Sequence, residues 1–173
     1  MNIGYVKQLK MRRLLRMMPN KSLLTRIIAL IIACLPLVAS SQIKIDKAGD
    51  DWDLKIDSAI NLIKQTDTNY YNTLVKYCNH IEIWNGPFST NYWDKDYGNI
   101  IISVSDIKLN SINNLAAVLV HESAHLGFRC NGIVLSENDE ERFCYSYELA
   151  FIIKLPNLEP WLLEHTLRMS NLK

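Results

Sequence analysis

Residues 42–173 are predicted to form one α+β domain that is mostly helical. Apolar residues recur at helical spacing in five segments, whereas only two or three short runs have the composition of strands. No internal repeat, low-complexity segment or long linker divides the chain. Its 173 residues suit a single domain with a modest core.

Two helices are predicted at the start of the domain. In "AGDDWDLKIDSAINLIKQ", five apolar side chains recur at helical spacing, with Asp50 or Asp51 as the N-cap. They are Trp52, Ile56, Ala59, Ile60 and Ile63. The segment "YYNTLVKYCNHI" predicts a second, short helix because four apolar residues fall on one side. These are Leu74, Tyr77, Cys78 and Ile81.

The predicted strands come next. "IEIW" predicts a strand at residues 81–84, and the following "NGPF" has the composition of a turn. Residues 89–99, "STNYWDKDYGN", are predicted to be a polar loop that carries several aromatic side chains. The strongest strand prediction is "IIISVSDI" at residues 100–107. A long helix is then predicted at residues 111–126, with Gly127 placed to end it.

Two more helices complete the predicted fold. After a turn at Asn131-Gly132, "SENDEERFCYSYELAFIIKL" predicts a long helix that ends before Pro156. Ser136 and Asp139 at its start resemble a capping box. "EPWLLEHTLRM" predicts the last helix, with Pro160 in its first turn.

The first 41 residues have the layout of a secretory signal peptide. They hold seven Lys or Arg and no Asp or Glu, followed by the apolar run "IIALIIACLPLVA" and small residues. The apolar run is short for a membrane-spanning helix, which needs about 20 residues. Cleavage before Gln42 would place Ala39 and Ser41 at the −3 and −1 positions. The sequence therefore predicts an exported protein, periplasmic or secreted.

A lipoprotein signal is the alternative interpretation of the leader. "IIAC" at residues 31–34 resembles a bacterial lipobox, which would end the signal at Ala33 and place a lipid anchor on Cys34. Membrane contact is expected only through the leader or this anchor. Residues 42–173 contain 12 basic and 18 acidic residues, which gives them a net charge of −6. Nucleic acid is not a predicted partner, because phosphate binding needs a basic face.

Three cysteines follow the leader: Cys78, Cys130 and Cys144. In an oxidising compartment, an odd number leaves at least one thiol unpaired within a monomer. Cys130 and Cys144 flank one loop and could close it, and Cys78 could pair with either. All three could also be buried thiols.

The segment "HESAH" at residues 121–125 has the spacing of a metal-binding site with a general base. His121 and His125 are four residues apart, so on a helix both imidazoles project from one face and can reach one metal ion. Glu122 is the next residue along the helix after His121, so its carboxylate is expected beside the ion and not among its ligands. From there its carboxylate can take a proton from a water molecule that the metal activates, which is the chemistry of H-E-x-x-H.

The third metal ligand is expected on the next helix, because a catalytic zinc needs three protein ligands and one open position. Four residues of that helix share a face: Glu141, Cys144, Tyr145 and Glu148. Glu141 is the predicted ligand, and Glu148 is the alternative. The neighbouring Glu137, Asp139 and Glu140 are expected to stabilise the helix N-terminus through its dipole.

The "HESAH" segment and the pattern "ExxCY" at residues 141–145 resemble the gluzincin branch of the zincin metallopeptidases. In that branch a second helix supplies the third ligand from a Glu-x-x-small pattern, and Cys144 stands here at the small position, where alanine is often found. The resemblance covers residues 100–148 and implies a zincin-like domain with bound Zn²⁺. The implied zinc ligands are His121, His125 and Glu141. "NLAAVLVHESAHL" and "EERFCYSYEL" also resemble small exported bacterial proteins of unassigned function.

The expected function is therefore a zinc metallopeptidase acting on peptide or protein substrates, with Glu122 as general base. The strand at residues 100–105 is expected to pair with an extended substrate. The resemblance also implies an oxyanion-stabilising tyrosine or histidine, for which the candidates are Tyr145, Tyr147 and His165. Three alternatives stay open: a non-catalytic zinc- or partner-binding protein on the same scaffold, a metal-assisted amidase acting on cell wall, and a buried helix without metal.

Overall fold

The computed structural model describes residues 43–46, 51–94 and 97–171. Over these residues the fold is α+β, about 62% helical, with a four-stranded mixed sheet, which confirms the prediction of an α+β, mostly helical fold. The predicted signal peptide at residues 1–41 and the alternative lipid anchor at Cys34 lie outside the described residues. Within the described ranges, no helix combines the length and the apolar character needed to cross a membrane.

Helices and strands follow one another along the described chain in an order that places the sheet ahead of the motif helix. They are β1 (Lys44–Ile45), α1 (Trp52–Thr66), α2 (Thr68–Tyr77), β2 (His80–Trp84), β3 (Thr90–Asp94), β4 (Tyr97–Ser103), α3 (Val104–Leu109), α4 (Ile112–Cys130), α5 (Glu137–Ile152) and α6 (Pro160–Ser170). The "HESAH" segment lies in α4, and the predicted third ligand lies in α5.

The sheet has the order β1-β2-β4-β3, so β4 lies between β2 and β3. β1, β2 and β4 run parallel, and β3 runs antiparallel to β4. Ile81 of β2 and Asn91 of β3 both oppose Ile100 of β4. Because both edges of β4 are paired, the prediction that residues 100–105 pair with a substrate is wrong. The strand at this edge of the described sheet is β3.

The prediction of a polar loop at residues 89–99 is wrong as well. Thr90–Asp94 forms β3 and Tyr97 begins β4, so four strands precede the motif helix rather than two or three. No residue of β3 is fully buried, and Tyr92 and Asp94 are exposed. An edge strand of this kind lacks the apolar alternation from which strands are predicted.

The predicted strand at residues 100–107 ends earlier than expected. β4 stops at Ser103, whose hydroxyl accepts a hydrogen bond of 3.2 Å from the backbone N–H of Ser105 and so caps α3. The apolar pattern continues through Val104 and Ile107, which are buried in helical rather than extended backbone. A short apolar run does not by itself distinguish strand from helix.

The motif helix α4 is the central helix of the domain. It packs against α1, α2 and α5 and against β3 and β4, and 13 of its 19 residues are buried. A helix surrounded on so many sides is expected to be apolar around most of its circumference. The polar side chains of "HESAH" are therefore buried among apolar ones and need partners.

The prediction that Gly127 ends the motif helix is wrong, because α4 continues to Cys130. Gly127 instead allows a close approach to a neighbouring ring, since a Cβ at this position would lie 3.3 Å from Cε2 of Tyr77. The helix is capped by Asn131, whose side-chain amide donates to the Gly127 carbonyl at 2.7 Å. Gly132 then adopts left-handed backbone with φ +63°, which reverses the chain.

The caps predicted for the last two helices are confirmed. The hydroxyl of Ser136 accepts a hydrogen bond from the backbone N–H of Asp139 at 3.3 Å and donates to its carboxylate at 2.8 Å. Pro160 is the first residue of α6. Since α5 packs against α4 and α6 packs against α5, the glutamates of α5 lie between the motif helix and the last helix.

Candidate metal centre

His121 and His125 lie one turn apart on α4 and bring their imidazoles together on one side of the helix. Their Nε2 atoms are 3.1 Å apart. Both residues are buried, because α4 is covered by the sheet and by neighbouring helices. Two ring nitrogens at this distance either share a proton or face a common ligand.

Glu141 of α5 completes the group that the sequence predicts. One of its carboxylate oxygens lies 3.4 Å from Nε2 of His121, and the other lies 3.2 Å from Nε2 of His125. Hydrogen bonds from His121 and His125 lower the pKa of Glu141 well below its ordinary value of 4.5. Glu141 is partly exposed, so one side of the group is open to solvent.

The other nitrogen of each imidazole meets a second carboxylate. Nδ1 of His121 is 3.1 Å from Glu148, and Nδ1 of His125 is 2.6 Å from Glu140. A neutral imidazole that donates its Nδ1 proton to a carboxylate keeps a lone pair on Nε2. In that tautomer both Nε2 atoms are free to bind a metal ion, which is the arrangement of ligating histidines oriented by outer carboxylates.

The donor set fits a tetrahedral metal ion. Two ligand atoms at 2.0–2.1 Å from one tetrahedral ion lie about 3.3–3.4 Å apart. The two Nε2 atoms are 3.1 Å apart, and each lies near a different oxygen of Glu141, at 3.4 Å for His121 and 3.2 Å for His125. Each of these pairs is close to the spacing of two ligands on one ion, and one ligand atom from each residue can be chosen so that all three lie within 4.8 Å of one another. Among the described residues, His121, His125 and Glu141 are the three potential metal ligands whose ligand atoms lie close together. Two imidazoles and a carboxylate suit zinc.

Protonation competes with metal at this site. Burial disfavours the charged form of His121, but hydrogen bonds to Glu141 and Glu148 outweigh it and raise the pKa of His121 to about 10. In the metal-free protein the surrounding carboxylates thus hold a proton on the imidazole. A divalent cation would displace that proton, since ligating histidines are neutral.

Glu122 lies beside the group rather than in it. It is buried next to His121 on α4, and the side-chain amide of Asn91 donates a hydrogen bond to its carboxylate. Asn91 belongs to β3, and its backbone carbonyl accepts a long hydrogen bond of 3.5 Å from Arg129. The edge strand therefore holds the carboxylate that the sequence assigns as general base.

A cavity of about 170 Å³ adjoins the two motif residues His121 and Glu122. Tyr145, Glu148 and His165 contribute to its wall from α5 and α6. Its lining includes acidic and amide side chains but no Lys or Arg among the residues described. The cavity gives a small, polar space next to the predicted general base.

The three oxyanion candidates differ in position. The Tyr145 ring lies 4.3 Å from the His121 ring, centroid to centroid, and His165 lies 6.0 Å beyond it. Both line the cavity. Tyr147 lies elsewhere, because its hydroxyl donates to Thr73 at 3.1 Å and its ring packs against Tyr70. Tyr145 and His165 thus stay candidates, whereas Tyr147 is not among the residues that line the cavity.

The three cysteines of the domain and His80 do not belong to the group of His121, His125 and Glu141. Cys78, Cys130 and Cys144 are all free thiols, with Cys130 exposed and the other two buried. His80 is half-buried and pairs with Asp46 at 2.8 Å, at the start of β2.

Three residues of the site were not predicted in their roles. The sequence predicts a helix-dipole role for Glu140, but its carboxylate bonds to His125. It predicts a loop at Asn91, which belongs to β3 and bonds to Glu122. No sequence pattern indicates a role for Thr166, which donates to Glu148 at 2.6 Å. The helical spacing marked Glu141 and Glu148 as sharing a face, but it does not say which nitrogen each carboxylate meets.

Comparison of the chain with protein-family models, curated proteins and solved structures found no significant match. The functional proposal below therefore rests on the residues of this site and on their geometry.

Proposed function

We propose that the protein is an exported zinc-dependent metallopeptidase whose zinc ligands are His121, His125 and Glu141. One observation carries the proposal: two Nε2 atoms and one carboxylate converge within 3.1–3.4 Å. The Nδ1 atom of His121 is hydrogen-bonded to Glu148, and that of His125 is hydrogen-bonded to Glu140. Such orientation by outer carboxylates is typical of ligating histidines.

The catalytic chemistry divides between metal and protein. When bound, zinc supplies Lewis acidity, which lowers the pKa of water towards about 7 and polarises a carbonyl group. Glu122 accepts a proton from the attacking water and passes it to the leaving amine. Asn91 holds the Glu122 carboxylate in place. Tyr145, whose ring lies beside His121, is a candidate for stabilising the oxyanion.

The proposal includes a zincin-like fold in the described domain. It is supported by a mixed sheet ahead of the motif helix and by a glutamate-bearing helix that packs back onto it. An extended peptide would pair with β3, since β4 is enclosed on both sides. The substrates are peptides or proteins outside the cytoplasm, in keeping with the predicted leader.

The direct test compares the wild-type protein with Glu122→Gln. We expect both to bind one equivalent of zinc by metal analysis, because Glu122 is not a ligand. Cleavage of a broad peptide library should fall by about 10²–10⁴-fold in the variant, and a chelator should abolish wild-type cleavage. Glu137→Gln, at an exposed position at the start of α5, is the matched control and should retain activity.

Each alternative predicts a distinct result. A wild-type protein without zinc would exclude the metal site, and full activity in Glu122→Gln would exclude the general base. Cleavage of peptidoglycan fragments but not peptides would indicate the cell-wall amidase. Zinc binding without cleavage of either substrate would indicate the non-catalytic binding protein.

A further inference from the structure

We infer that the last helix, α6, controls metal affinity through Thr166, which acts as a positioning residue for His121. The inference rests on the metal site proposed above and adds to it an element that contributes no ligand. It concerns a chain of two hydrogen bonds that runs from α6 through α5 to the motif helix.

The chain begins at Thr166, which is fully buried in α6. Its hydroxyl donates to one carboxylate oxygen of Glu148 at 2.6 Å. The other oxygen of Glu148 lies 3.1 Å from Nδ1 of His121. Glu148 is itself buried, so each oxygen of this carboxylate is held by one side chain of a different helix.

Burial makes the hydroxyl of Thr166 important. A buried carboxylate oxygen that loses its donor carries the full penalty of an unsatisfied polar group. Without Thr166, Glu148 would be expected to rotate or to draw in water, and either change loosens its hold on Nδ1 of His121. The orientation and tautomer of a ligating histidine depend on that outer bond.

Besides Thr166, helix α6 approaches the metal group (His121, His125 and Glu141) through His165, which contributes to the cavity wall and whose ring lies 6.0 Å from that of Tyr145. The helix packs along α5 and buries Leu162. Thr166 thus joins the packing of α6 to the metal group. Because coupling between two equilibria is reciprocal, zinc should also stabilise the docking of α6.

The first test measures zinc affinity by competition with a chromophoric chelator at fixed pH. Thr166→Val keeps the size of the side chain and removes the donor. We expect its Kd for zinc to rise about tenfold, the lower end of the range for outer partners of metal ligands. Thr166→Ser restores the hydroxyl and should bind within about twofold of wild type.

The matched control is Thr73→Val. Thr73 is also a buried helical threonine with a bonded hydroxyl, which donates to the Asn69 carbonyl at 3.0 Å and accepts from Tyr147. It lies away from the metal group, so its loss should lower stability without changing zinc affinity. Thermal unfolding of each metal-free variant establishes that it folds.

A second measurement needs no variant. Amide hydrogen exchange of the wild-type protein with and without zinc should show a greater gain in protection in α6 than in α1. This measurement decides the question if Thr166→Val does not fold. Equal zinc affinity of folded Thr166→Val and wild type, or an unchanged α6, would overturn the coupling alone. A wild-type protein that binds no zinc would overturn the metal site and the coupling together.

Discussion

Each imidazole of the metal group is engaged at both nitrogens, and this decides what each glutamate around it does. Glu141 lies opposite both Nε2 atoms, whereas Glu148 and Glu140 each lie at an Nδ1 atom. A carboxylate at Nδ1 makes the imidazole a stronger and better oriented ligand. The same residue type therefore serves as ligand on one side of the ring and as orienting group on the other.

Replacing Glu140 tests whether a carboxylate at Nδ1 makes the imidazole a stronger ligand. Glu140→Gln still offers a carbonyl oxygen to Nδ1 of His125 but loses the negative charge. The Kd for zinc is expected to rise about 10-fold, within the 10–100-fold range for outer partners, as measured by chelator competition. Glu137→Gln should stay at the wild-type value, since Glu137 is exposed. An unchanged affinity in Glu140→Gln would mean that the negative charge of Glu140 does not strengthen His125 as a ligand.

Helical spacing explains which site residues could be predicted. It predicts that His121 and His125 share one face of their helix and that Glu141 and Glu148 share one face of the next helix. Both predictions follow from the i, i+4 and i, i+7 relations of helix geometry alone. The spacing could not separate the roles of Glu140 and Glu141, which are neighbours in sequence. Their roles depend on how α5 crosses α4, and that crossing is set by packing.

At the scale of elements, local signals predicted where α5 and α6 begin, but they misplaced the end of α4 and missed the edge strand β3. Ser136 and Pro160 act through bonds and backbone angles within a few residues, so their effects are visible in sequence. β3 exists because β4 lies beside it, and its own residues are at most half-buried. It nevertheless supplies Asn91, the partner of Glu122.

Gly98 tests the packing of the sheet at this scale. It begins the buried part of β4, and a Cβ there would lie 2.0 Å from the carbonyl oxygen of Tyr77. That oxygen belongs to backbone at the end of α2 and cannot swing aside as a side chain can. Gly98→Ala should therefore lower the free energy of unfolding by about 2–3 kcal/mol, as for overpacked cores, in urea titrations.

The control for Gly98→Ala is Gly132→Asn, in the turn after α4. Nothing lies within 4 Å of a Cβ at Gly132, although its φ is +63°. Asparagine tolerates that backbone region better than most residues, so a loss of at most about 1 kcal/mol is expected. Equal stability of Gly98→Ala and wild type would show that β4 and α2 can separate without cost.

At the scale of the whole molecule, the core buries groups that titrate only at alkaline pH. Burial raises the pKa of Cys78 from an ordinary 9.0 to about 12 and that of Tyr147 from 10.0 to about 12. A group whose pKa is raised on folding stabilises the fold fully below its unfolded pKa. That contribution is lost as the pH rises through the folded value.

The stability of the metal-free protein is therefore expected to fall from about pH 9 upwards, by as much as about 1.4 kcal/mol per pH unit for each such group. Urea titrations at a series of pH values, with chelator and reductant present, measure this slope. Cys78→Ala should show a shallower decline. Cys130→Ala should depart less from the wild type, because this thiol is exposed and burial raises its pKa less than that of Cys78. A free energy of unfolding that stays constant from pH 9 to 11 would contradict the burial of these groups.

Three features could be predicted from local sequence patterns: the helical character of the domain, the pairing of His121 with His125, and the position of Glu122 beside them. Each of these follows from the 3.6-residue period of a helix, which needs no information about distant residues. The tertiary structure decided the rest. It placed Glu141 opposite both Nε2 atoms, Glu140 and Glu148 behind the rings, and Asn91 and Thr166 beside them. These contacts join elements far apart in the chain, and only the packing of α4 between the sheet and α5 brings them within bonding distance.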